Sequence, residues 1–434
     1  MKEKLNIFWF RRDLRLDDNN GFCKSLLGMH PVMPIFIFDS EIIESLPKDD
    51  ARVTFIHQSV QNIDAQLKSY GGSLSMYHGK PLAILKQLLL SFDIQNIITN
   101  RSYEPYDRER DQEIASFLSE KNIGFHTFKD HVIFEKDQIV KKDGTPYAVY
   151  TPYMKKWKEA FLANNDLRIQ DYKNSISNLR QNTAGPNLPL EAIGFEPSPI
   201  QVPDYDVSTS IIQQYEDTRN FPSLEGTSNL GPHLRFGTVS IRKMVQKATA
   251  ETNEVFWQEL IWREFFTQIL WHFPHTLQKA YKPQSDRIEW RNVLTEFEHW
   301  KQGTTGYPMV DAGMRQLNAT GQMHNRVRMV VASFLCKHLL IDWRWGEAYF
   351  AEKLLDYEMA SNVGNWQWAA GTGVDAAPYF RIFNPTSQLD KFDKNRAYVK
   401  KWIPELDTEN YPEPVVVHRM ARERCLKIYK TALA

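Results

Sequence analysis

In the stretch QELIWREFF (258–266), Glu259 and Trp262 stand three residues apart and so share one face of a helix. Glu259 and Arg263, four apart, equally suit a surface ion pair. MHNRVRM (323–329) sets Asn325 and Met329 on one face and His324 and Arg328 on another, ahead of the apolar run VVASFLCKHLLIDW. Arg326 and Arg328, entering a buried helix, require carboxylates or phosphates as partners, and Asp356 is a candidate. EGTSNLGPHL (225–234) places glycines and hydroxyls before a helical stretch, where free N–H groups can hold phosphate or the segment can be an ordinary helix cap. NVGNWQW (362–368) and GTGVDAAPYFRIFNP (371–385) suit a wall against an aromatic ligand, or a loop over a tryptophan core. His272 and His275 flank Pro274 and read as packing; no metal is expected. HExxH, GxSxG, Walker and paired-carboxylate patterns are absent, so the residues alone do not give a reaction type.

Elements to hold these residues are abundant. The 434 residues suffice for two or three domains, and 42% hydrophobic with 24% charged residues marks a globular chain. Lys plus Arg equals Asp plus Glu at 53 each, so any surface for nucleic acid must be a local patch. Cys23, Cys336 and Cys425 lie too far apart for a zinc cluster and fit a reducing compartment. The start, MKEKLNIFWF, lacks a long apolar stretch, and no charge-free apolar run reaches about 18 residues. A cytoplasmic, membrane-free protein is expected, with monomer as the default.

Apolar runs at 6–10, 32–38, 73–79, 94–100 and 124–130 predict strands, separated by helical patterns over 51–70, 81–92 and 107–121. That alternation predicts an α/β domain with a parallel Rossmann-like sheet over 1–130. The first strand runs into Arg11-Arg12-Asp13 rather than GxGxxG, which argues against ordinary dinucleotide binding. A Pro- and Gly-rich connection is expected over 131–204. An all-α domain follows over 205–434, with helices at 257–273, 310–319, 324–338 and 345–358.

Taken together, WFRRDLRLDDN, EGTSNLGPHL, QELIWREFF, TGYPMVDAGMRQL, MHNRVRM and NWQWAAGTGVDAAPYFRIFNP resemble the photolyase/cryptochrome flavoprotein family in order and spacing, over nearly the whole chain. Most similar are the class I cyclobutane pyrimidine dimer photolyases. The resemblance implies FAD in the helical domain, with Tyr215, Thr227, Ser228, Asn229, Leu230 and Gly231 at its phosphates. Phe256, Asn325, Arg328, Asp356, Glu358 and Asn362 are implied at the rings and ribose, with Asn362 by the reactive ring nitrogen. Trp366, Trp343 and Trp290 match an electron-hopping chain from flavin to surface. Glu259, Trp262, Asn325, Met329 and Trp368 match the dimer pocket. Arg219, Arg263, Arg326 and Arg381 are implied on the DNA side.

The implied reaction is blue-light-driven: an electron lent to the dimer opens it and then returns, without net redox change or metal. A dimer stacks poorly and is cheap to flip from the duplex. The family's antenna pigment, folate or deazaflavin, would lie near Phe36, Phe38, Arg52, Glu104 and Asp107, but YEPYDRERD decides neither which pigment is held nor that one is present. The phosphate loop reads TSNLG where many relatives carry Arg and Ser, yet backbone donors suffice for such loops. The rival reading is a cryptochrome-type photoreceptor without repair.

Overall fold

The computed structural model describes residues 2–164, 167–181 and 184–434. Residues 165, 166, 182 and 183 of the expected 131–204 connection lie outside the described residues. Two compact units form. The first gathers Met1–Glu135, Phe161–Tyr205 and Asn229–Ala250; the second gathers Lys136–Ala160, Asp206–Ser228 and Glu251–Ala434.

In the first unit, strands β1 (Lys4–Phe10), β2 (Val32–Asp39), β3 (Ser75–Gly79), β4 (Asp93–Asn100) and β5 (Gly124–Phe128) form a parallel sheet in the order β3-β2-β1-β4-β5. The apolar runs become strands because their side chains alternate between two covered faces. Phe8, Phe10, Phe36 and Phe38 enter one core with Val53, Val60, Ile63 and Leu67 of the helix Ala51–Lys68. Leu5, Ile7, Trp9, Ile35 and Ile37 enter the other, with Ile84 and Leu88 of Pro81–Ser91 and Ile114 and Leu118 of Pro105–Ser119. Each such fully buried side chain stabilises the fold by roughly 1.5–3 kcal/mol.

Where a dinucleotide fold would open its phosphate crevice, beyond the end of β1, this chain packs charges. Arg11 pairs with Asp111 at 2.6 Å and Arg110 with Asp39 at 3.2 Å, and both guanidinium groups lie about 5 Å from the Trp9 ring centre. The residues expected around an antenna are engaged internally as well. Phe36 and Phe38 are buried edge to face at 4.8 Å, Arg52 pairs with Asp50, Glu104 with Arg12 and Arg235, and Asp107 with Arg110.

Deeper in the unit, Asp130 accepts from Arg15 and Arg242, both at 2.7 Å, and Arg242 also reaches Asp18 at 2.8 Å. Burial by itself would raise the Asp130 carboxyl. The two guanidinium groups outweigh it and hold that carboxyl well below the usual carboxylate range.

The second unit is helical. Its labelled helices are α1 (Tyr150–Asn164, of which 150–160 belong here), α2 (Thr209–Thr218), α3 (Val255–His272), α4 (Asn325–Ser333), α5 (Trp343–Lys353) and α6 (Met359–Ala370). Trp300, Met314, Phe334, Leu335, Trp343, Phe350 and Trp366 centre its core. Helix α6 packs against α3, α4 and α5. Two glycines permit this: a methyl at Gly364 would lie 2.2 Å from the Phe266 ring, and one at Gly346 2.1 Å from the Trp366 ring. The helix expected over 324–338 is α-helical only over α4 and continues as a π-helical turn, Phe334–Leu339, closed by Leu340 in the left-handed region. The helix expected over 345–358 starts at Trp343 and ends at Lys353, leaving Asp356 on a turn and Glu358 in extended backbone before α6. Among the described residues, no helix is long and apolar enough to cross a membrane.

Replacing Asp130 by Asn leaves Arg15 and Arg242 without their shared carboxylate. A loss of about 3–5 kcal/mol is expected, read as a lower urea midpoint. Because the Asp130 carboxyl is held down on folding, its contribution is complete above the usual carboxylate range and fades as pH falls below it. An unchanged midpoint in Asp130→Asn would show that the cluster contributes nothing net.

Candidate functional site

Helix α3 presents the first group of residues. Glu259 forms an ion pair with Arg219, which caps the C-terminus of α2 and lies 5.8 Å from the centre of the Tyr215 ring. Tyr215 meets Phe256 edge to face at 5.3 Å. Burial raises the Glu259 carboxyl and Arg219 opposes it, although about a third of the side chain (36%) reaches solvent. The Glu259–Arg263 pair allowed by spacing does not form. Arg263 instead pairs with Glu358 at 2.8 Å and is 12% exposed, so its expected place on the DNA side is corrected to an inward one. The reason is geometric: the side of α3 that carries Arg263 meets α6, whose first residues follow Glu358.

Trp262 is half-buried and lies parallel to Tyr150 of α1, with ring centres 3.6 Å apart and planes 8° from parallel. Tyr150 had no place in the sequence reading.

Helix α4 supplies the second group. His324 caps it through Nδ1, which accepts from the Arg326 backbone N–H at 3.1 Å. The imidazole proton is therefore on Nε2, which is buried and lacks a hydrogen-bond partner. Burial, then Arg328 and Arg326, push the His324 imidazole down to about 4. Asn325 is exposed at the first turn, and Arg328 pairs with Asp356 at 2.9 Å as expected. Arg326 bonds Asn220 at 2.6 Å and covers the Phe392 ring at 4.2 Å, while its Nη1 faces the Met329 sulfur at 3.7 Å. Among the described residues Arg326 has no carboxylate partner. Burial, Arg219 and Arg381 all lower its guanidinium, so three of the expected DNA-side arginines share one neighbourhood.

Helices α5 and α6 complete the arrangement. The Asn362 amide donates to the Glu347 carboxylate at 2.9 Å and to its carbonyl at 3.1 Å. A carboxylate accepts only, so the Asn362 NH₂ points toward Glu347 and its oxygen is left to accept elsewhere. Burial raises the Glu347 carboxyl, and Asn362 counters. Trp366 and Trp343 are fully buried, and Trp290 is half-buried. The three do not form a continuous stack: the rings touching Trp366 are Phe350 at 4.9 Å and Trp300 at 6.1 Å. Trp368 packs half-buried against the same core. Glu347 and Trp300 were missed because neither carries a local signal; each matters only through a partner distant in sequence.

Thr227 and Ser228 end a stretch of the second unit, and Asn229, Leu230 and Gly231 begin one of the first. Asn229 is left-handed at φ 51°, and the helix Gly231–Phe236 begins after Leu230 with no side-chain cap. The ordinary side-chain cap allowed by the sequence is therefore not made. His272 faces the Lys136 carbonyl at 3.3 Å. Among the described residues no group of three or more His, Cys, Asp or Glu could hold a metal.

With these positions fixed, comparison with known proteins gives two family matches. Residues 256–409 match the FAD binding domain of DNA photolyase, and residues 6–171 match DNA photolyase. A Halobacterium salinarum protein named deoxyribodipyrimidine photo-lyase is 33% identical over 99% of both chains. A crystal structure of a bacterial class III photolyase from Agrobacterium tumefaciens superposes with TM-score 0.89 at 32% identity, covering 100% of this chain and 98% of that one. A Synechocystis cryptochrome structure superposes with TM-score 0.83 at 25% identity, covering 99% of each.

The low His324 value has a consequence for acid stability. A histidine held neutral by folding stabilises fully above its unfolded value near 6.5, and that contribution is lost as pH falls through about 4. His324→Asn keeps a capping acceptor without a titrating ring. Between pH 7 and pH 5, the urea midpoint should fall further for wild type than for His324→Asn. Equal falls would mean that the cap does not sense pH.

Proposed function

The chain belongs to the DNA photolyase family, and on that premise we propose that it splits cyclobutane pyrimidine dimers in DNA under blue light. The observation that carries this reading is the neighbourhood of Glu259, Trp262, Arg219, Arg326 and Arg381. Among the described residues Arg326 has no acid within hydrogen-bonding reach, and Arg381 and the Glu259-paired Arg219 are its charged neighbours, an arrangement that suits a DNA phosphate. Beside it, Glu259 can accept from a thymine edge and Trp262 can stack against the dimer, with Met329, Asn325 and Trp368 as further contacts.

The residues present fit FAD. Asn325, the partly exposed Arg328–Asp356 pair, Glu358 and the acceptor oxygen of Asn362 supply donors and acceptors of both signs, and Tyr215, Phe256 and Trp366 supply aromatic rings. They would hold its rings and ribose, and Tyr215 with Thr227, Ser228, Asn229, Leu230 and Gly231 its phosphates. When bound and reduced, FAD supplies the light-absorbing electron donor. Glu347 fixes the Asn362 amide so that an acceptor is offered to the cofactor without the acidity of an Asp. The Arg263–Glu358 pair holds α3 to the start of α6, so that Glu259 and Asn362 are carried on one packed frame. Trp366, Trp343 and Trp290 would relay electrons to the flavin from the surface. A folate or deazaflavin antenna would lie near Phe36, Phe38, Arg52, Glu104 and Asp107.

The similarity to a Synechocystis cryptochrome favours a second reading, a blue-light receptor with little or no repair. One assay separates them. The reduced protein is mixed with a thymine-dimer oligonucleotide, and dimer loss is followed in blue light and in darkness. Light-dependent repair is expected, weakened roughly tenfold or more in Glu259→Ala, with binding that weakens as salt rises. A photoreducible flavoprotein that leaves every dimer intact would establish the receptor reading instead.

A further inference from the structure

Tyr150 has no part in the reaction as read above, yet it is tied more firmly than the residue it touches. Its ring is 6% exposed and lies flat against Trp262 at 3.6 Å. Its hydroxyl donates to the Gln258 carbonyl at 2.7 Å, one turn before Trp262 on α3. Its backbone N–H donates to the Asp375 carboxylate at 3.4 Å, and its ring meets Phe265 nearly edge-on at 5.9 Å. Burial and the nearby Glu259 charge both keep the phenol protonated. Held at its hydroxyl, its backbone and its ring, Tyr150 does not swing away to admit a ligand between itself and the indole.

Trp262 keeps part of its surface open despite this stack, and Glu259, three residues earlier on the same helical face, is itself partly open. Phe266, one turn on, also lies near-parallel to Trp262, with ring centres 5.5 Å apart and planes 27° from parallel, so a flipped dimer beside Glu259 meets the part of the indole that these rings leave exposed. A tryptophan on a helix surface ordinarily samples several tilts, and a flat partner at van der Waals distance restricts them. Trp368, the other expected wall of the pocket, has no ring partner of this kind among the described residues.

We propose that Tyr150 is a positioning residue for substrate recognition: it backs Trp262 as a fixed plane, so that the flipped dimer stacks on a rigid wall opposite the less constrained Trp368. The proposal rests on the dimer-repair reading. It assigns selectivity for the rigid, non-planar lesion to a pair of rings set before binding. The hydroxyl acts only to hold the ring, so the flat ring is the functional part.

The test uses the FAD-loaded protein and compares Tyr150→Met with Tyr150→Phe, each alone and combined with Trp262→Leu. Affinity for a dimer-containing and an undamaged oligonucleotide is measured in the dark, alongside flavin content and photoreduction. Tyr150→Met should weaken dimer binding about tenfold, leave undamaged DNA binding unchanged and leave photoreduction unchanged. Tyr150→Phe should stay within about twofold of wild type on every readout. With Trp262→Leu present, Tyr150→Met should add little, because the plane it backs is gone. Wild-type dimer affinity in Tyr150→Met, or an equal loss with and without Trp262, would overturn the proposal. If Tyr150→Met loses its flavin, Tyr150→Leu takes its place, and loss of flavin there too would reduce Tyr150 to a structural residue and overturn the proposal. A wild-type protein that does not prefer dimer DNA at all would instead overturn the repair reading on which the proposal rests.

Discussion

The close approach of α6 to α3 and α5 is the constraint on which the helical unit depends. At Gly364 the backbone of α6 comes so near Phe266 that no side chain could stand there, and at Gly346 α5 leaves room for nothing but the edge of Trp366. Dense packing of this kind has few alternative solutions. It fixes the rotation of α6, and with it the directions of Asn362 and Trp366, which lie on the same helix. The Arg263–Glu358 pair then closes the same seam with charge.

Charge is distributed unevenly. In the first unit the buried arginines described above are matched to carboxylates: Arg11, Arg15, Arg110 and Arg242 each have one or more within hydrogen-bonding reach. In the second unit Arg263 and Arg328 are matched too, whereas Arg326 has only an amide oxygen, an aromatic face and a thioether around it. A guanidinium in that condition costs free energy in the free protein, and a bound anion relieves the cost. This contrast supports a DNA-facing role for Arg326 better than net charge could, since the whole chain is balanced.

Much of this was legible in the sequence because it follows from period and burial. Strands of alternating aromatic and aliphatic residues had to be covered on both faces, and the parallel sheet follows from that. Arg328 had to find an anion once α4 was recognised as buried, and Asp356 was an available one. Spacing along a helix tells which residues share a face but not which neighbour that face meets, so Arg263 was placed outward when its side of α3 meets α6. The same limit hid Tyr150, Glu347 and Trp300, whose roles come from partners remote in the chain. The end of α5 at Lys353 was also hidden: apolar periodicity ran on past the turn that carries Asp356 ahead of Glu358.

The π-helical turn Phe334–Leu339 bears on how this region can change. It is not a bulge within a longer helix but the widened last turn of α4's run: Leu340 enters the left-handed region at φ 54°, and the chain turns to begin α5 at Trp343. Ile341 and Asp342 alone separate Leu340 from α5, so a residue added or removed there has almost no loop in which to be absorbed. Such a change would displace Trp343, which is 1% exposed in the core, while leaving Asn325 and Arg328 on α4 where they are.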